Sequence, residues 1–309
     1  MIKKIEDIQR VPVGELLGSI PIERRGKIKS DNFPAEKYLR EMLGIRRVNQ
    51  NCIEIASYAN FMRNIYASAP AIFFLIGILG GVFLWMVLPS RKIYYEIFIL
   101  SSIGLSGGLI MYMFSRLFFA NSRGVFIRLN RINKNIYFVM ADSQRLVTLN
   151  WSEIRPMAGY IPHVSRAGYT ALYPLFLLGV DWTQNPPKET YAPCGNLGHN
   201  DQGRTARELW NYLQCFMDGN DSVPPVQFLQ TEPASCWEAF LSGYREWAKK
   251  FREDLSTPEG KRKAWWWAPC KVLWLITMVF PESIGEVLEY GVPYTPFPKE
   301  IDEICGFDS

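Results

Sequence analysis

Two short stretches of the sequence hold residues that could take part in catalysis or metal binding. The first, GLSGG at residues 104–108, matches the G-x-S-x-G pattern in which a hydrolase serine acts as nucleophile. That chemistry requires a strand–turn–helix setting and a histidine partner, whereas Ser106 lies inside a long apolar run. Both histidines of the chain, His163 and His199, lie well outside that run. We therefore expect no catalysis by Ser106.

The second stretch pairs Cys194 with His199 and supplies at most half of a zinc site. The six cysteines form no C-x-x-C pair, and the sequence has no Walker loop, Rossmann fingerprint or H-E-x-x-H motif. These observations predict a protein without catalytic residues, bound metal or cofactor. A net charge of +4 is also too small to indicate binding to nucleic acid.

The elements that must position any functional residue begin with two apolar runs, residues 71–88 and 97–114. Each run has 18 residues and no charge, which corresponds to about 27 Å of α-helix and to the hydrocarbon thickness of a bilayer. The sequence therefore predicts a transmembrane hairpin over residues 69–116, preceded by a cytoplasmic segment at 1–68. The first run begins too far along the chain for a cleaved signal peptide.

Charged and aromatic residues around the two runs predict the orientation of the hairpin. Arg91 and Lys92 form its tip, Tyr94 and Tyr95 are placed at the membrane interface beside it, and Arg116 is placed at the interface where the second run ends. Five cations follow the second run, namely Arg116, Arg123, Arg128, Arg131 and Lys134. Because positive charge accumulates on the cytoplasmic side, the sequence predicts an inner-membrane protein with both termini in the cytoplasm. The cysteines would then be reduced.

Glycines spaced four residues apart predict how the two runs pack. Gly77 and Gly81 lie in the first run, and Gly104 and Gly108 lie in the second. Small residues at this spacing allow helix backbones to approach closely in lipid. Pairing the runs end to end places Gly77 opposite Gly108 and Gly81 opposite Gly104. The alternative is that glycine is simply common in membrane helices.

Alternating residues after the hairpin predict an antiparallel β domain at residues 122–220. The expected strands are residues 125–130, 136–141, 145–151 and 172–182. A helix is expected after Asn200 or Asp201, because apolar residues recur there at helical spacing as far as Gly219. A helix packed over the open end of such a sheet gives the plan of a pleckstrin-homology-like (PH-like) domain. The predicted fold class is thus an α+β membrane protein.

Residues 221–309 are predicted to form a helical region. Within it, KRKAWWWAPCKVLWLITMVF joins three cations to an apolar run at 264–280 that includes Trp265, Trp266 and Trp267. Tryptophan favours the membrane interface, so a helix lying in the plane of the membrane and a core helix of the soluble domain fit these residues equally well. A third membrane span is the further alternative that the sequence leaves open.

Four segments of the chain resemble a known family: FIRLNRINKNIYFV, LNWSEI, ELWNYLQCFMDGNDSVPP and PFPKEIDEICGF. Together with the predicted hairpin, they are similar to a family of bacterial inner-membrane proteins that carry a PH-like domain and are often encoded beside type VI secretion effectors. The resemblance covers about residues 45–300. It supplies no catalytic residues.

The resemblance implies a non-enzymatic role in competition between bacteria. The first hypothesis is an immunity protein that binds a secreted (type VI) antibacterial toxin. The alternative is a membrane-tethered adaptor whose PH-like domain binds a secretion component or a lipid headgroup. Membrane lipid and a toxin or secretion protein are therefore the expected partners. The sequence names neither the partner, nor the face that binds it, nor the oligomeric state.

Overall fold

The computed structural model describes residues 8–24, 43–87, 93–118, 126–140, 143–165, 168–196, 198, 200–218, 235–290, 292 and 295–307. The chain divides into two compact units. Unit 1 comprises residues 1–61, 124–230 and 294–309, and unit 2 comprises residues 62–123 and 231–293. Each unit is therefore assembled from segments that lie far apart in the sequence.

Unit 1 is built on antiparallel β-sheets. Its strands are β1 (Ile20–Pro21), β2 (Ile45–Val48), β3 (Cys52–Ala56), β4 (Phe126–Asn130), β5 (Asn135–Val139), β6 (Leu146–Asn150), β7 (Arg155–Ala158), β8 (Ile161–Ser165), β9 (Gly168–Leu172), β10 (Leu175–Asp181) and β11 (Lys188–Pro193). The larger sheet has the order β2-β3-β4-β5-β6, and the smaller one has the order β1-β7-β10-β11. Strands β8 and β9 form a separate hairpin.

Side chains alternate between the two faces of the five-stranded sheet, and both faces are covered. Ile53 of β3 pairs with Leu129 of β4, and both side chains lie in the main core of unit 1. Glu54 pairs with Arg128 and projects from the opposite face. A second apolar cluster covers that face: Cys52, Phe126, Tyr137, Val139, Phe297, Ile301, Cys305 and Phe307. The last four residues belong to the C-terminal segment that contains helix α7 (Lys299–Cys305).

Helix α3 (Arg204–Met217) closes the main core of unit 1. The apolar stripe predicted from its helical spacing is buried: Leu209, Trp210, Leu213, Phe216 and Met217. Ahead of the helix, the carboxylate of Asp201 accepts hydrogen bonds from the backbone N–H groups of Gly203 and Thr205 at 2.9 and 2.8 Å. Gly203 has a φ of +77°, a left-handed conformation that suits glycine. The helix therefore begins directly after this turn.

The β-strands and the helix predicted between residues 122 and 220 occur as β4, β5, β6, β10 and α3, with ends shifted by a few residues. Unit 1 extends beyond that range at both ends of the chain. Strands β2 and β3 precede the apolar runs, and α7 lies at the C-terminus. The predicted range therefore omits two of the five strands of the larger sheet.

Unit 2 is helical. Its helices are α1 (Tyr58–Val87), α2 (Ile93–Phe118), α4 (Cys236–Ser256), α5 (Pro258–Trp274) and α6 (Phe280–Tyr290), with a π-helical turn at Leu275–Val279 between the last two. Tyr112 of α2 donates a hydrogen bond to the backbone carbonyl of Leu288 in α6 at 3.1 Å. Gly285 of α6 also lies against the backbone of Ser68 in α1. These contacts join α1 and α2 to α6, and so to the C-terminal helices of the unit.

Among the residues that the structure describes, no helix is both long enough and apolar enough to cross a membrane. The predicted transmembrane hairpin at 69–116 is therefore wrong, and so are the membrane-protein fold class and the inner-membrane location with both termini in the cytoplasm. The fold class is α+β. The two apolar runs instead lie in helices α1 and α2, which pack against each other and against α6 within unit 2.

Glycines line the contact between α1 and α2, in a register that differs from the predicted one. A Cβ atom placed on each glycine would meet the backbone of the other helix: from Gly77, Leu100 O at 2.8 Å; from Gly104, Phe73 O at 2.4 Å; from Gly108, Pro70 Cα at 2.4 Å. Gly108 thus faces Pro70 and not Gly77, a difference of about two helical turns. Gly81 is also buried. The glycines pack against backbone atoms of the other helix instead of pairing with one another.

We predict that Gly108→Ala destabilises the protein by about 1–3 kcal/mol, because the new methyl group would collide with the backbone at Pro70. Gly107→Ala is the matched control, since no heavy atom lies within 4 Å of its added Cβ. We expect that substitution to be neutral or to stabilise by up to about 1 kcal/mol. The measurement is the free energy of unfolding in urea. Equal values for the two variants would contradict the observed helix contact.

Candidate functional site

The helical hairpin of α4 and α5 positions the residues of the candidate site. Ser235 caps α4, accepting a hydrogen bond from the backbone N–H of Glu238 at 3.1 Å. Thr257 is the only residue between the two helices and caps α5, accepting from the N–H of Gly260 at 3.0 Å. Pro258 occupies the first turn of α5, where its missing N–H costs nothing. These residues end one helix and begin the next within a single turn of chain.

One side of α5 is occupied by contacts with α4. The indole N–H of Trp247 donates to the backbone carbonyl of Lys271 at 3.2 Å. The ring of Phe251 lies 4.9 Å from that of Trp247 and 5.3 Å from that of Trp267. Lys271 forms an ion pair with Asp254. This side of α5 is therefore already in contact with α4 within unit 2.

The other side of α5 is exposed and apolar. We call this surface the α5 stripe. It is defined by five exposed residues of α5 and one of the π-helical turn that follows it: Trp265, Trp266, Pro269, Val272, Leu273 and Ile276. Their spacing of three and four residues places them on one face of a helix. The side chains of Trp265 and Trp266 are 82% and 65% exposed, far more than is usual for tryptophan. The stripe is therefore an apolar surface that the fold of unit 2 does not use.

Cations lie at the N-terminal end of the α5 stripe. Lys261, Arg262 and Lys263 are all exposed. Lys263 forms an ion pair with Glu259 one turn earlier, at 2.6 Å. The site thus combines an apolar stripe with positive charge at one end, an arrangement that can bind an apolar patch flanked by acidic side chains.

The residues predicted to lie at a membrane interface separate in the structure. Trp265 and Trp266 belong to the α5 stripe, whereas Trp267 is half-buried and faces α4. Tyr95 is 74% exposed on α2. Tyr94 and Arg116 also lie on α2, but their side chains are outside the described part of the structure, as are residues Arg91 and Lys92 altogether. The structure therefore brings together only the two outward tryptophans of this predicted set among its described residues.

The described residues that the sequence suggested for catalysis and metal binding lie within the helices and the core of the fold. Ser106 lies in the middle of α2, where its hydroxyl donates to the carbonyl of Ser102 at 2.7 Å. Cys194 is fully buried, and burial raises the pKa of its thiol. His199 and the side chain of His163 lie outside the described residues. Within the described part of the chain, no group of three or more possible metal ligands occurs.

Unit 1 contains a concavity of about 470 Å³. Its apolar lining comes from β4 and β5 and includes Ile127 and Phe138, while Arg10 and Lys188 contribute charge. Glu189, also part of the lining, has a side chain only 5% exposed that forms ion pairs with Arg10 and Arg155. Its carboxylate further accepts from the N–H of Val11 at 3.2 Å. Since this carboxylate is already paired, the concavity presents mainly apolar surface to a ligand.

Sequence reasoning missed a buried charged cluster on the outer face of the five-stranded sheet. The guanidinium of Arg128 donates to Glu54 at 2.8 Å and forms an ion pair with Asp302 of α7. Burial alone would lower the pKa of Arg128, but the carboxylates of Glu54 and Asp302 raise it above the ordinary value. The ring of Phe297 covers the guanidinium at 3.9 Å. The sequence predicted Arg128 to be one of the cytoplasmic cations after the hairpin. Its partners Glu54 and Asp302 lie far from it in the sequence, so their pairing could not be predicted.

Comparison with protein-family models, with curated proteins and with solved structures finds no match to this chain. The family indicated by sequence resemblance therefore stays a prediction.

We predict that Trp267→Ala and Trp265→Ala have very different effects on stability. Removing the half-buried ring of Trp267 takes away its contact with Phe251 and should cost about 2 kcal/mol. Removing the exposed ring of Trp265 should change stability by no more than about 0.5 kcal/mol. Urea unfolding of the two variants checks this difference. A larger loss for Trp265→Ala would mean that the α5 stripe faces the interior of the folded protein.

Proposed function

We propose that this protein is a non-enzymatic binding protein that protects the cell producing it by holding a secreted antibacterial toxin on the α5 stripe. One observation carries the proposal: none of the 17 residues of α5, all of which the structure describes, is buried. The same helix presents two largely exposed tryptophans on one side. Exposed apolar surface of this kind marks binding sites on folded proteins.

The distribution of exposed apolar side chains supports a binding role for unit 2. Of the 24 large hydrophobic side chains that are exposed among the described residues, 20 belong to unit 2. Only the α5 stripe combines neighbouring tryptophans with a cluster of cations in its immediate sequence. Tryptophan and arginine are the residue types that most often dominate the binding free energy of protein interfaces. The α5 stripe is therefore the surface on which we place the partner.

The positive charge at one end of the α5 stripe favours a partner with acidic side chains. Glu259 neutralises Lys263, but Lys261 and Arg262 extend the positive end of the α5 stripe into solvent. A complementary surface would bury an apolar patch against Trp265 and Leu273 and place carboxylates opposite the cations. Burial of the apolar area would contribute about 25 cal/mol per Å² before the costs of association.

The resemblance of the chain to proteins encoded beside type VI secretion effectors supports a toxin as that partner. An immunity protein works by occupying its toxin, which requires a stable interface and no chemistry from its own side chains. A secretion component is the alternative partner, and the same stripe would then serve an adaptor. A cell that lacks an immunity protein is killed by the delivered toxin, whereas a cell that lacks an adaptor survives it.

We predict that recipient cells deleted for the gene are killed by kin with an intact secretion system, and that the unaltered chain restores their survival. The double variant Trp265→Ser/Leu273→Ser should fail to restore it, because losing two large apolar contacts weakens binding by about 100-fold or more. Ile132→Ser is the control, since Ile132 is an exposed aliphatic residue like Leu273 but lies in a turn of unit 1, where its side chain is 67% exposed. Colony counts of surviving recipients are the measurement.

Immunoblots and circular dichroism of the three chains must show equal amounts of folded protein. Titration of the purified chains with the neighbouring toxin then tests whether survival follows affinity. Equal survival of deleted and intact recipients, with delivery of the toxin demonstrated, would contradict the immunity function and favour the adaptor.

A further inference from the structure

Two cysteines that are 253 residues apart in the sequence lie side by side in unit 1. Cys52 begins β3 and Cys305 ends α7. The thiol of Cys52 donates to the sulfur of Cys305, with the two Sγ atoms 2.9 Å apart. Neither residue is exposed to solvent. The two sulfur atoms are therefore placed where a single bond could join them.

The backbone around Cys305 is held against the five-stranded sheet from several directions. The side-chain amide of Asn49 donates to the carbonyl of Cys305 at 2.7 Å. The amide of Asn130 donates to the carbonyl of Ile304 at 3.1 Å. Arg128 forms its ion pair with Asp302 one turn earlier in α7. Because these partners fix the end of the helix, the proximity of the thiols follows from the packing of the whole C-terminal segment.

We propose that Cys52 and Cys305 form a reversible disulfide that fastens the C-terminal segment to the five-stranded sheet, by exchange with a low-molecular-weight disulfide. This inference goes beyond the proposed function, since it uses no residue of the α5 stripe. It assigns a redox modification site to the face of the sheet that α7 covers.

The surroundings of the two thiols give them different roles. The hydrogen bond from Cys52, the positive charge of Arg128 and a hydrogen bond from Asn130 together lower the pKa of Cys305, against the opposing effect of burial. Burial is the main cause that raises the pKa of Cys52. These effects favour the thiolate of Cys305 while α7 is packed on the sheet. Because Cys305 is also carried by the helix that must lift to admit the external disulfide, it is the attacking group, and Cys52 in β3 is the second thiol that resolves the intermediate.

The exchange proceeds in two balanced steps. The thiolate of Cys305 attacks one sulfur of the external disulfide, which forms a mixed disulfide and releases one small thiolate. The sulfur of Cys52 then attacks the Cys305 sulfur, its proton passing to the second small thiolate as that group leaves. The protein loses two protons and two electrons, and the external disulfide becomes two thiols.

Burial of both thiols sets a condition on the reaction. The external disulfide reaches Cys305 only when α7 lifts from the sheet, and this helix has just seven residues. Once formed, the bond prevents that opening. It also closes a loop that includes all of unit 2 in the sequence, which reduces the conformational freedom of the unfolded chain.

Peptide mapping of the full-length protein tests the proposal without any substitution. The protein is equilibrated with oxidised glutathione, quenched with acid, alkylated under denaturing conditions and digested. We expect a peptide linking Cys52 to Cys305 to be the main disulfide product, and reduced glutathione to reverse it. Recovery of both residues as free thiols, under conditions that convert the exposed Cys236 and Cys270 to mixed disulfides, would overturn the proposal.

Thermal unfolding supplies an independent readout. Oxidation should raise the Tm of the protein by about 5–8 °C, since closure of a loop this long strongly constrains the unfolded chain. Cys305→Ser should abolish the rise, while Cys215→Ser, at another buried thiol, should keep it. A rise of equal size in the Cys305→Ser variant would also overturn the assignment.

Discussion

The carboxylate of Glu54 is a buried charge on which the larger sheet of unit 1 depends, because only 1% of its side chain is exposed and its charge must be compensated locally. Three guanidinium groups do this, from Arg46 at 3.7 Å, Arg47 at 3.4 Å and Arg128 at 2.8 Å. An unpaired charge at this depth would cost several kcal/mol, so β2, β3 and β4 must come together. Arg128 in turn requires Asp302, which brings the C-terminal helix onto the same face. The buried charges thus specify which distant segments complete the sheet.

This constraint accounts for the division of the chain. Unit 1 collects residues from both ends and from the middle of the sequence, so that residues 62–123 and 231–293 are insertions between its parts. Within the second insertion, α4 uses Trp247 and Phe251 to bind the inward side of α5. The folding of unit 2 therefore leaves the α5 stripe uncovered. The exposed apolar side of α5 is the observation on which the proposed binding function rests.

Local periodicity made part of this fold predictable from sequence. The alternation in β4 to β6 and the helical spacing in α3 depend on neighbouring residues, and these elements were located to within a few residues. Strands β2 and β3 were not predicted, since each carries charged residues, Arg46 in β2 and Glu54 in β3, whose burial depends on partners elsewhere in the chain. The predicted transmembrane hairpin is wrong, since no helix in the described part of the chain is long enough and apolar enough to cross a membrane. Trp265 and Trp266 were identified as candidate interface residues, but only the packing of α5 on α4 distinguishes them from Trp267.

Photo-crosslinking in cells tests most directly whether the α5 stripe is the surface that binds the toxin. Benzoylphenylalanine replaces Leu273 on the stripe or, as a control, Ile132 in unit 1, and recipient cells are irradiated while under attack. Our account predicts a covalent adduct of this chain with the toxin from position 273 and none from position 132. An adduct from position 132 alone would contradict it. So would the absence of any adduct from position 273 in cells that contain the toxin and survive.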